Sequence, residues 1–226
     1  MKIKQQYIGI TIKDRIGTIY LNRPEKRNAL NGEFVKELCE AFKNLEEDEN
    51  VKIVVLKAKG DVFSAGADLA YLKKLQTNTF EENLEDSNNL KSLFSTIYFL
   101  KKVVIAQVEG HAIAGGCGLA TVCDFTYSVP EAKFGYTEVK IGFIPAIVMG
   151  FLIRKIGETK AKQLLLTGEL IGAEQALAIG LISGISTKDN IEIEVAKLAD
   201  KLCKETAASS LSLTKAMIDK VQSMDM

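Results

Sequence analysis

The sequence predicts an α/β fold with a helical C-terminal part, and three observations lead to this class. Two stretches of alternating apolar and polar residues open the chain at 7–13 and 17–21, as expected for paired β-strands. Apolar strand patterns and amphipathic helical patterns then follow one another through the middle of the chain. The last third is helical almost throughout. With 226 residues, the chain is long enough to bury a sizeable core.

The N-terminal elements are a hairpin, a helix and a buried strand. The two opening strands turn at Asp14-Arg15, and apolar residues at 34–45 then recur at three- and four-residue spacing, which predicts an amphipathic helix. The β-branched segment VKIVVLKA at 51–58 predicts a buried strand. We expect the segment DVFSAGADL at 61–69 to form a loop after that strand.

The middle of the chain continues the alternation. Residues 68–101 carry two helical patterns that are separated by a break at 77–79, and the apolar segment 103–109 predicts the next strand. A glycine turn follows, and GGCGLATVCD from Gly115 predicts a short helix that begins just after a strand. A further strand is predicted at 125–129.

The C-terminal part is predicted to be helical at 146–156, 158–167, 173–179, 190–206 and 209–222. The most apolar stretch, 143–153, contains Pro145 and Gly150 and is far shorter than the roughly 20 residues of a membrane-spanning helix. We therefore expect a buried helix there. No sequence repeat or linker interrupts the chain, so we take 1–226 as a single domain.

Composition excludes several functional classes. The 29 basic and 29 acidic residues cancel and 47% of residues are apolar, which is typical of a globular protein and excludes disorder, collagen and a broad nucleic-acid surface. The four cysteines lack a CxxC pair and His111 is the one histidine, which disfavours a zinc site, a disulfide framework and a Ser-His-Asp triad. The charged N-terminus has no apolar signal-peptide core, so we expect a cytoplasmic protein that binds no membrane. Because metal ligands are so few, we also expect no metal site.

Two segments of related form are candidates for binding a ligand through the main chain. Residues 63–68 (FSAGAD) and 112–117 (AIAGGC) each place small residues and glycine between an apolar strand and a helix start. Such turns expose backbone N–H groups at the positive end of a helix dipole, and two of them facing one point would form an oxyanion hole. Taken singly, each segment is more often an ordinary tight turn. The sequence contains neither a Walker loop nor a GxGxxG dinucleotide motif.

Four motifs, taken in order, resemble one known superfamily. They are NRPEKRNALNGE at 22–33, FSAGADL at 63–69, VEGHAIAGGCGLATVCDF at 108–125 and KFGYTEVKIGFIP at 133–145. Through them the chain resembles the crotonase, or enoyl-CoA hydratase/isomerase, superfamily over about residues 7–220. The resemblance implies a crotonase-like right-handed spiral of ββα units over about 1–185. A helical C-terminal part over about 186–226 follows, and it is shorter than is usual for the superfamily.

The resemblance also implies a ligand and an assembly. The superfamily binds acyl thioesters of coenzyme A, and its members associate as homotrimers or as hexamers built from two trimers. The thioester oxygen would accept hydrogen bonds from the backbone N–H groups of Ala67 and Gly115. No permanently bound cofactor is implied, because coenzyme A enters as part of the substrate. An acyl-carrier protein thioester is the alternative form of that substrate.

The resemblance assigns further residues to binding. Contacts to coenzyme A are implied for Lys26, Arg27, Ala29, Ala65, Gly66, Asp68 and Leu69, and an acyl pocket for His111, Cys117, Tyr136 and Phe143. From the residues alone, other roles stay open. Lys26 and Arg27 also suit a solvated turn, His111 suits a structural hydrogen bond, and Cys117 and Tyr136 suit core packing.

The pair of catalytic glutamates is where the sequence departs from the superfamily. The second glutamate is present as Glu138, which we expect to be the catalytic acid or base, but Gly118 stands at the position of the first. An apolar pocket near Phe143 and Ile144 would raise the pKa of Glu138 and suit it to proton transfer. The segment PAIVMG at 145–150 is also unusual and makes the edge of the site more apolar.

A single glutamate leaves several reactions open. The motifs as a whole favour a hydratase, including the 3-methylglutaconyl-CoA type, whereas one carboxylate is sufficient for a Δ3,Δ2-enoyl-CoA isomerase. A decarboxylase and a non-catalytic acyl-CoA-binding or scaffold protein are further alternatives. Related hydrolases have an aspartate where this chain has Ala146, which disfavours hydrolysis. We therefore expect an enzyme of fatty acid metabolism that acts on an unsaturated acyl-CoA through an enolate, with hydration as the first expectation.

Overall fold

The computed structural model describes residues 6–221. The strands are β1 (Ile8–Lys13), β2 (Ile16–Leu21), β3 (Ile53–Ala58), β4 (Val62–Ser64), β5 (Val103–Val108), β6 (His111–Ile113), β7 (Phe125–Ser128), β8 (Lys133–Gly135), β9 (Ile171–Gly172) and β10 (Gly184–Ile185). The helices are α1 (Gly32–Glu47), α2 (Leu69–Leu75), α3 (Phe80–Tyr98), α4 (Gly115–Val122), α5 (Ala146–Thr167), α6 (Ala173–Ala178), α7 (Ile191–Glu205) and α8 (Ala208–Val221). Two 3₁₀ turns cover Pro24–Lys26 and Glu138–Ile141.

The strands form two sheets that alternate along the chain. The larger sheet has the order β1-β2-β3-β5-β7-β10 and the smaller one β4-β6-β8-β9. In the larger sheet β1 pairs antiparallel with β2, and every other neighbouring pair is parallel. Three times a strand of the larger sheet is followed by a strand of the smaller sheet and then by helix: β3 and β4 lead to α2, β5 and β6 to α4, and β7 and β8 to α5. This repeat places the starts of α2 and α4 beside each other at the ends of parallel strands.

The local sequence explains where the helices begin. The Asn31 side chain accepts a hydrogen bond from the Phe34 N–H at 2.8 Å and so caps α1. The break between α2 and α3 is a capping box, in which Thr79 and Glu82 each accept a hydrogen bond from the other's backbone N–H. These side chains satisfy amide donors that would otherwise be unpaired at a helix start.

The structure confirms most of the predicted elements and corrects the predictions in two places. The strands β4, β6, β8, β9 and β10 were not predicted, because two or three residues are too few for a periodic pattern. Residues 62–64 form a strand where a loop was expected. The break predicted between the helices at 146–156 and 158–167 is confirmed, because α5 is interrupted at Gly157, whose φ of 76° and ψ of 160° are not helical. The buried helix expected at 143–153 begins only at Ala146.

The correction at 143–153 concerns the residues next to the predicted catalytic group. Phe143 is 38% exposed and Ile144 is 75% exposed, because both lie in the connection before α5 and not on its buried face. Further along this stretch, Leu152 is fully buried. Within residues 6–221, none of the helices is both long and apolar enough to cross a bilayer.

Candidate active site

The two glycine turns found in the sequence lie against each other. A Cβ atom built on Gly66 would lie 2.8 Å from the Ala114 Cβ and 3.3 Å from the Gly115 nitrogen. The φ angle of Gly66 is +85°, which a residue with a side chain adopts only under strain. Close approach and backbone conformation therefore both require glycine at position 66.

The amides of Ala67 and Gly115 are the open donors of these turns. Other amides of the first turn already donate hydrogen bonds. The Ala65 N–H donates to the Arg27 carbonyl at 3.0 Å, and the Asp68 N–H donates to the Leu30 carbonyl at 2.9 Å. In the part of the chain that the structure describes, no carbonyl or side chain accepts a hydrogen bond from the Ala67 or Gly115 N–H. Two unpaired donors on adjacent turns suit an acceptor that carries negative charge.

The turn that carries Gly115 holds a strained residue. Ala114 has φ 51° and ψ −123°, a conformation that costs a non-glycine residue about 1–3 kcal/mol. Its N–H donates to the Gly135 carbonyl at 2.8 Å, and its carbonyl accepts from the Gly118 N–H at 2.9 Å. These two bonds hold the turn in place so that Gly115 begins α4, where the helix dipole adds positive potential.

A buried ion pair fixes the other turn. The Arg23 guanidinium donates to the Asp68 carboxylate at 2.8 Å and to the Ala29 carbonyl at 2.9 Å. Asp68 in turn caps α2 by accepting from the Ala70 N–H at 2.8 Å. Burial alone would raise the pKa of Asp68, but the hydrogen bonds from Arg23 and from the backbone lower it below its usual range. Asp68 therefore stays ionised and keeps the residue before it, Ala67, in a fixed position.

Glu138 is the first residue of the 3₁₀ turn Glu138–Ile141, which packs against α5. Its Oε2 atom is buried and has no hydrogen-bond partner among the described residues. Burial raises the pKa of the Glu138 carboxyl group above its usual range, and a hydrogen bond to its own backbone offsets only part of that rise. A carboxyl group with a raised pKa and one unpaired oxygen is suited to taking up and returning a proton.

Two fully buried side chains lie near Glu138. Burial raises the pKa of the Cys117 thiol to about 12, and the Glu138 charge adds to the increase. Burial also raises the pKa of Tyr136, again with a contribution from Glu138, and the Tyr136 hydroxyl is hydrogen-bonded to Thr121 at 2.7 Å. Since Cys117 lies in α4, Glu138 is close to the helix whose first residue is Gly115.

Gly118 has no room for a side chain. A Cβ atom built on it would lie 2.6 Å from Cγ1 of Val148 and 2.9 Å from Cζ of Phe94. Phe94 is fully buried and Val148 is 4% exposed. The position at which the superfamily resemblance led us to look for a first glutamate is thus filled by apolar side chains from α3 and α5.

Comparison with known proteins decides the family. The family model described as enoyl-CoA hydratase/isomerase matches residues 11–226. The chain belongs to the enoyl-CoA hydratase/isomerase family. This confirms the superfamily expected from the four motifs and makes the chain a member of a family of enzymes.

Relatives in the enoyl-CoA hydratase/isomerase family agree with this assignment. The chain is 44% identical over 206 residues to the "Putative enoyl-CoA hydratase" of Thermus thermophilus, across 91% of this chain and 81% of that protein. It is 35% identical over 196 residues to the crotonyl-CoA hydratase of Syntrophomonas wolfei, across 84% of this chain and 73% of that protein. The crystal structure of an enoyl-CoA hydratase from Shewanella pealeana matches with a TM-score of 0.94 at 29% identity, across 98% of this chain and 82% of that one. The expected crotonase fold is confirmed.

The remaining predicted residues occupy different environments in this family member. Lys26 and Arg27 are exposed, and Ala29 is buried behind them. The Leu69 side chain lies outside the described part of the structure. His111 is exposed at the start of β6, where its Nδ1 accepts a hydrogen bond from the Lys133 N–H at 3.2 Å. The structure thus brings Glu138, Cys117 and Tyr136 close to one another and leaves His111 at the surface.

Sequence reasoning missed Phe94 and Val148. The unusual segment at 145–150 was a signal for Val148, but nothing near Phe94 in the sequence pointed to Gly118. A separate cavity of about 730 Å³ lies between α3, α5 and α8 at the C-terminal end of α4, and none of the predicted site residues line it. Among the described residues, no three His, Cys, Asp or Glu side chains are grouped so that they could hold a metal ion.

The contact at Gly118 has a measurable consequence for stability. Alanine in place of glycine inside a helix normally stabilises by roughly 0.5–1 kcal/mol, but at Gly118 we expect the Cβ contact with Val148 to lower the free energy of unfolding by about 1–3 kcal/mol. Chemical denaturation of Gly118→Ala measures this. In Gly150→Ala, whose Cβ would meet nothing within 4 Å, we expect no loss. The clash is refuted if Gly118→Ala combined with Val148→Ala loses as much as the two single losses added together.

Proposed function

We propose that the protein catalyses the addition of water to a 2-enoyl-CoA thioester, with Glu138 as its single acid–base group. The observation that carries this proposal is the pair of open amides at Ala67 and Gly115 on adjacent turns, together with the buried Oε2 atom of Glu138, which has no hydrogen-bond partner among the described residues. The hydratase names of the relatives support the same reaction.

The proposed reaction uses the groups in a fixed order. The thioester oxygen accepts hydrogen bonds from the Ala67 and Gly115 amides. As the water oxygen bonds to the β-carbon, the Glu138 carboxylate takes a proton from that water, and the electrons of the carbon–carbon double bond move onto the thioester oxygen as an enolate. Glu138 then returns the proton to the α-carbon, and the carbonyl reforms. The loss of one oxyanion donor costs about 3–4 kcal/mol of transition-state stabilisation.

Coenzyme A is the proposed carrier of the acyl group. The exposed cations Lys26 and Arg27 suit its phosphate groups, and the Arg27 carbonyl is bonded to the Ala65 N–H beside the oxyanion turn. Gly66, Asp68 and Leu69 would then lie along the pantetheine arm that leads to the thioester. An acyl-carrier protein presents the same arm without the nucleotide, so comparison of the two thioesters distinguishes the carriers.

A second reaction is favoured by the apolar contact at Gly118. Double-bond migration needs one carboxylate only, because Glu138 can remove a proton from C2 of a 3-enoyl-CoA and return it to C4. The electron pair passes through the enolate, which the same two amides would stabilise. Phe94 and Val148 occupy the place where a second acid–base group would stand.

One spectrophotometric assay separates these reactions. Hydration removes the conjugated absorbance of crotonyl-CoA, whereas isomerisation of 3-hexenoyl-CoA creates it. A panel that includes 3-methylglutaconyl-CoA extends the test to branched acyl groups, with released CO₂ as the sign of decarboxylation. Binding of acyl-CoA without turnover of any of these esters would refute the enzymatic proposal and favour a binding role.

The raised pKa of Glu138 predicts a specific pH profile. Glu138 must be ionised to accept a proton, so kcat/KM on crotonyl-CoA should fall as the pH drops through the pKa of the buried group. Because burial raises that pKa, we expect the acidic limb above the value of about 4.3 that an exposed glutamate would give. An acidic limb at the value of an exposed glutamate would argue against Glu138 as the base.

A further inference from the structure

Three helices meet at Gly118 and form an apolar wall. Phe94 comes from α3 and Val148 from the first turn of α5, and both contact the position where a Gly118 side chain would begin. We call Phe94 and Val148 the apolar wall. Gly118 follows Gly115 by three residues, so the wall stands about one helical turn from the open amide.

A short connection joins Glu138 to the helix that carries Val148 of the wall. The 3₁₀ turn that Glu138 begins packs against α5, and the Glu138 carbonyl accepts a hydrogen bond from the Phe143 N–H at 3.0 Å. Val148 follows Phe143 by five residues. A reacting acyl group held by the Gly115 amide and reached by Glu138 would therefore lie next to the wall.

The wall provides no place for a water molecule. A buried water needs room and about two to four polar partners, but the wall consists of a fully buried phenyl ring and a valine that is 4% exposed. Along α4 the Cys117 thiol beside Gly118 is fully buried, and the Thr121 hydroxyl is already bonded to Tyr136 at 2.7 Å. Water can therefore reach the acyl group only from directions other than that of α4.

We propose that Val148 and Phe94 are specificity-determining residues that set the balance between water addition and double-bond migration. By keeping the α4 side of the acyl group dry, the wall lowers the chance that water meets the β-carbon. Proton return by Glu138 within the dry site is unaffected. This inference rests on the proposed enoyl-CoA chemistry.

The test measures the ratio of two activities in variants of the wall. Val148→Ser creates both room and a hydroxyl partner for water, and we expect it to raise kcat/KM for crotonyl-CoA hydration relative to 3-hexenoyl-CoA isomerisation by roughly tenfold. Val148→Ala creates room alone and should raise the ratio less. Val195→Ser is the matched control, because Val195 is similarly buried, at 2% exposure against 4% for Val148, but lies in α7.

The outcomes are distinguishable. An unchanged ratio in folded Val148→Ser overturns the inference, and a similar change in Val195→Ser overturns it as well, because the effect would then be general loosening. If Val148→Ser does not fold, the ratio in Val148→Ala decides. Absence of both activities in the unsubstituted protein rejects the proposed function itself, whereas activity with an unaltered ratio rejects the role of the wall alone.

Discussion

Replacing Glu138 by glutamine should abolish turnover of crotonyl-CoA and of 3-hexenoyl-CoA, with kcat lowered by at least about 10³-fold. Glutamine has nearly the shape of glutamate but cannot take up a proton at its side-chain oxygen. In the proposed reactions Glu138 both removes and returns the proton, so no other group replaces it. Steady-state kinetics with both substrates measures the loss.

Folding and binding separate this loss from a structural effect. Because burial raises the pKa of Glu138, the folded protein binds a proton more tightly than the unfolded chain, and ionised Glu138 lowers stability as the pH rises through the raised pKa. Glu138→Gln removes that cost, so its thermal midpoint at neutral pH should equal or exceed that of the unsubstituted protein. Glu131→Gln changes an exposed glutamate nearby and should retain activity. Full activity of Glu138→Gln would refute the proposed role of Glu138 as the acid–base group.

Replacing Gly66 by alanine should lower kcat by about 10²–10³-fold. The added methyl group would lie 2.8 Å from the Ala114 Cβ and 2.9 Å from the Ile113 carbonyl oxygen, so the two turns must move apart. In the proposed reaction the amides of Ala67 and Gly115 would then no longer both reach the thioester oxygen. We expect a smaller effect on binding of a saturated acyl-CoA, since the enolate needs the two donors more than the ground state does.

A second glycine provides the matched control for Gly66. Gly180 also has a positive φ, +77°, but a Cβ atom there would meet nothing within 4 Å. Gly180→Ala therefore carries similar backbone strain without the collision between turns. Both variants should have a lower midpoint of thermal unfolding, but only Gly66→Ala should show the large decrease in kcat. Equal kinetic losses in the two variants would show that strain, and not the meeting of the turns, is the cause.

The sequence was informative about the fold wherever a pattern was long enough to repeat. The helix α1, with apolar residues in a regular order after the cap at Asn31, was predicted within a few residues. The break at 77–79 was predicted as well, because Thr79 and Glu82 are close in sequence. The smaller sheet was missed because its strands are two or three residues long and depend on partners that are distant in the chain.

The candidate site was predictable in part for a similar reason. The turns of Ala67 and Gly115 are marked by their own glycines, and their order along the chain carried the family resemblance. The contact of Gly118 with Val148 joins residues 118 and 148 across two helices, and no local pattern encodes such a contact. The pKa of Glu138 likewise depends on burial, which arises only when the 3₁₀ turn packs on α5.

The crowding around Gly118 also limits how this protein can evolve. A side chain added at that position collides with Val148 and Phe94, so a lone mutation there lowers stability before it can contribute a new activity. A carboxylate at position 118 would therefore need compensating changes at Val148 and Phe94, and the order of those changes would decide whether each intermediate protein stays folded.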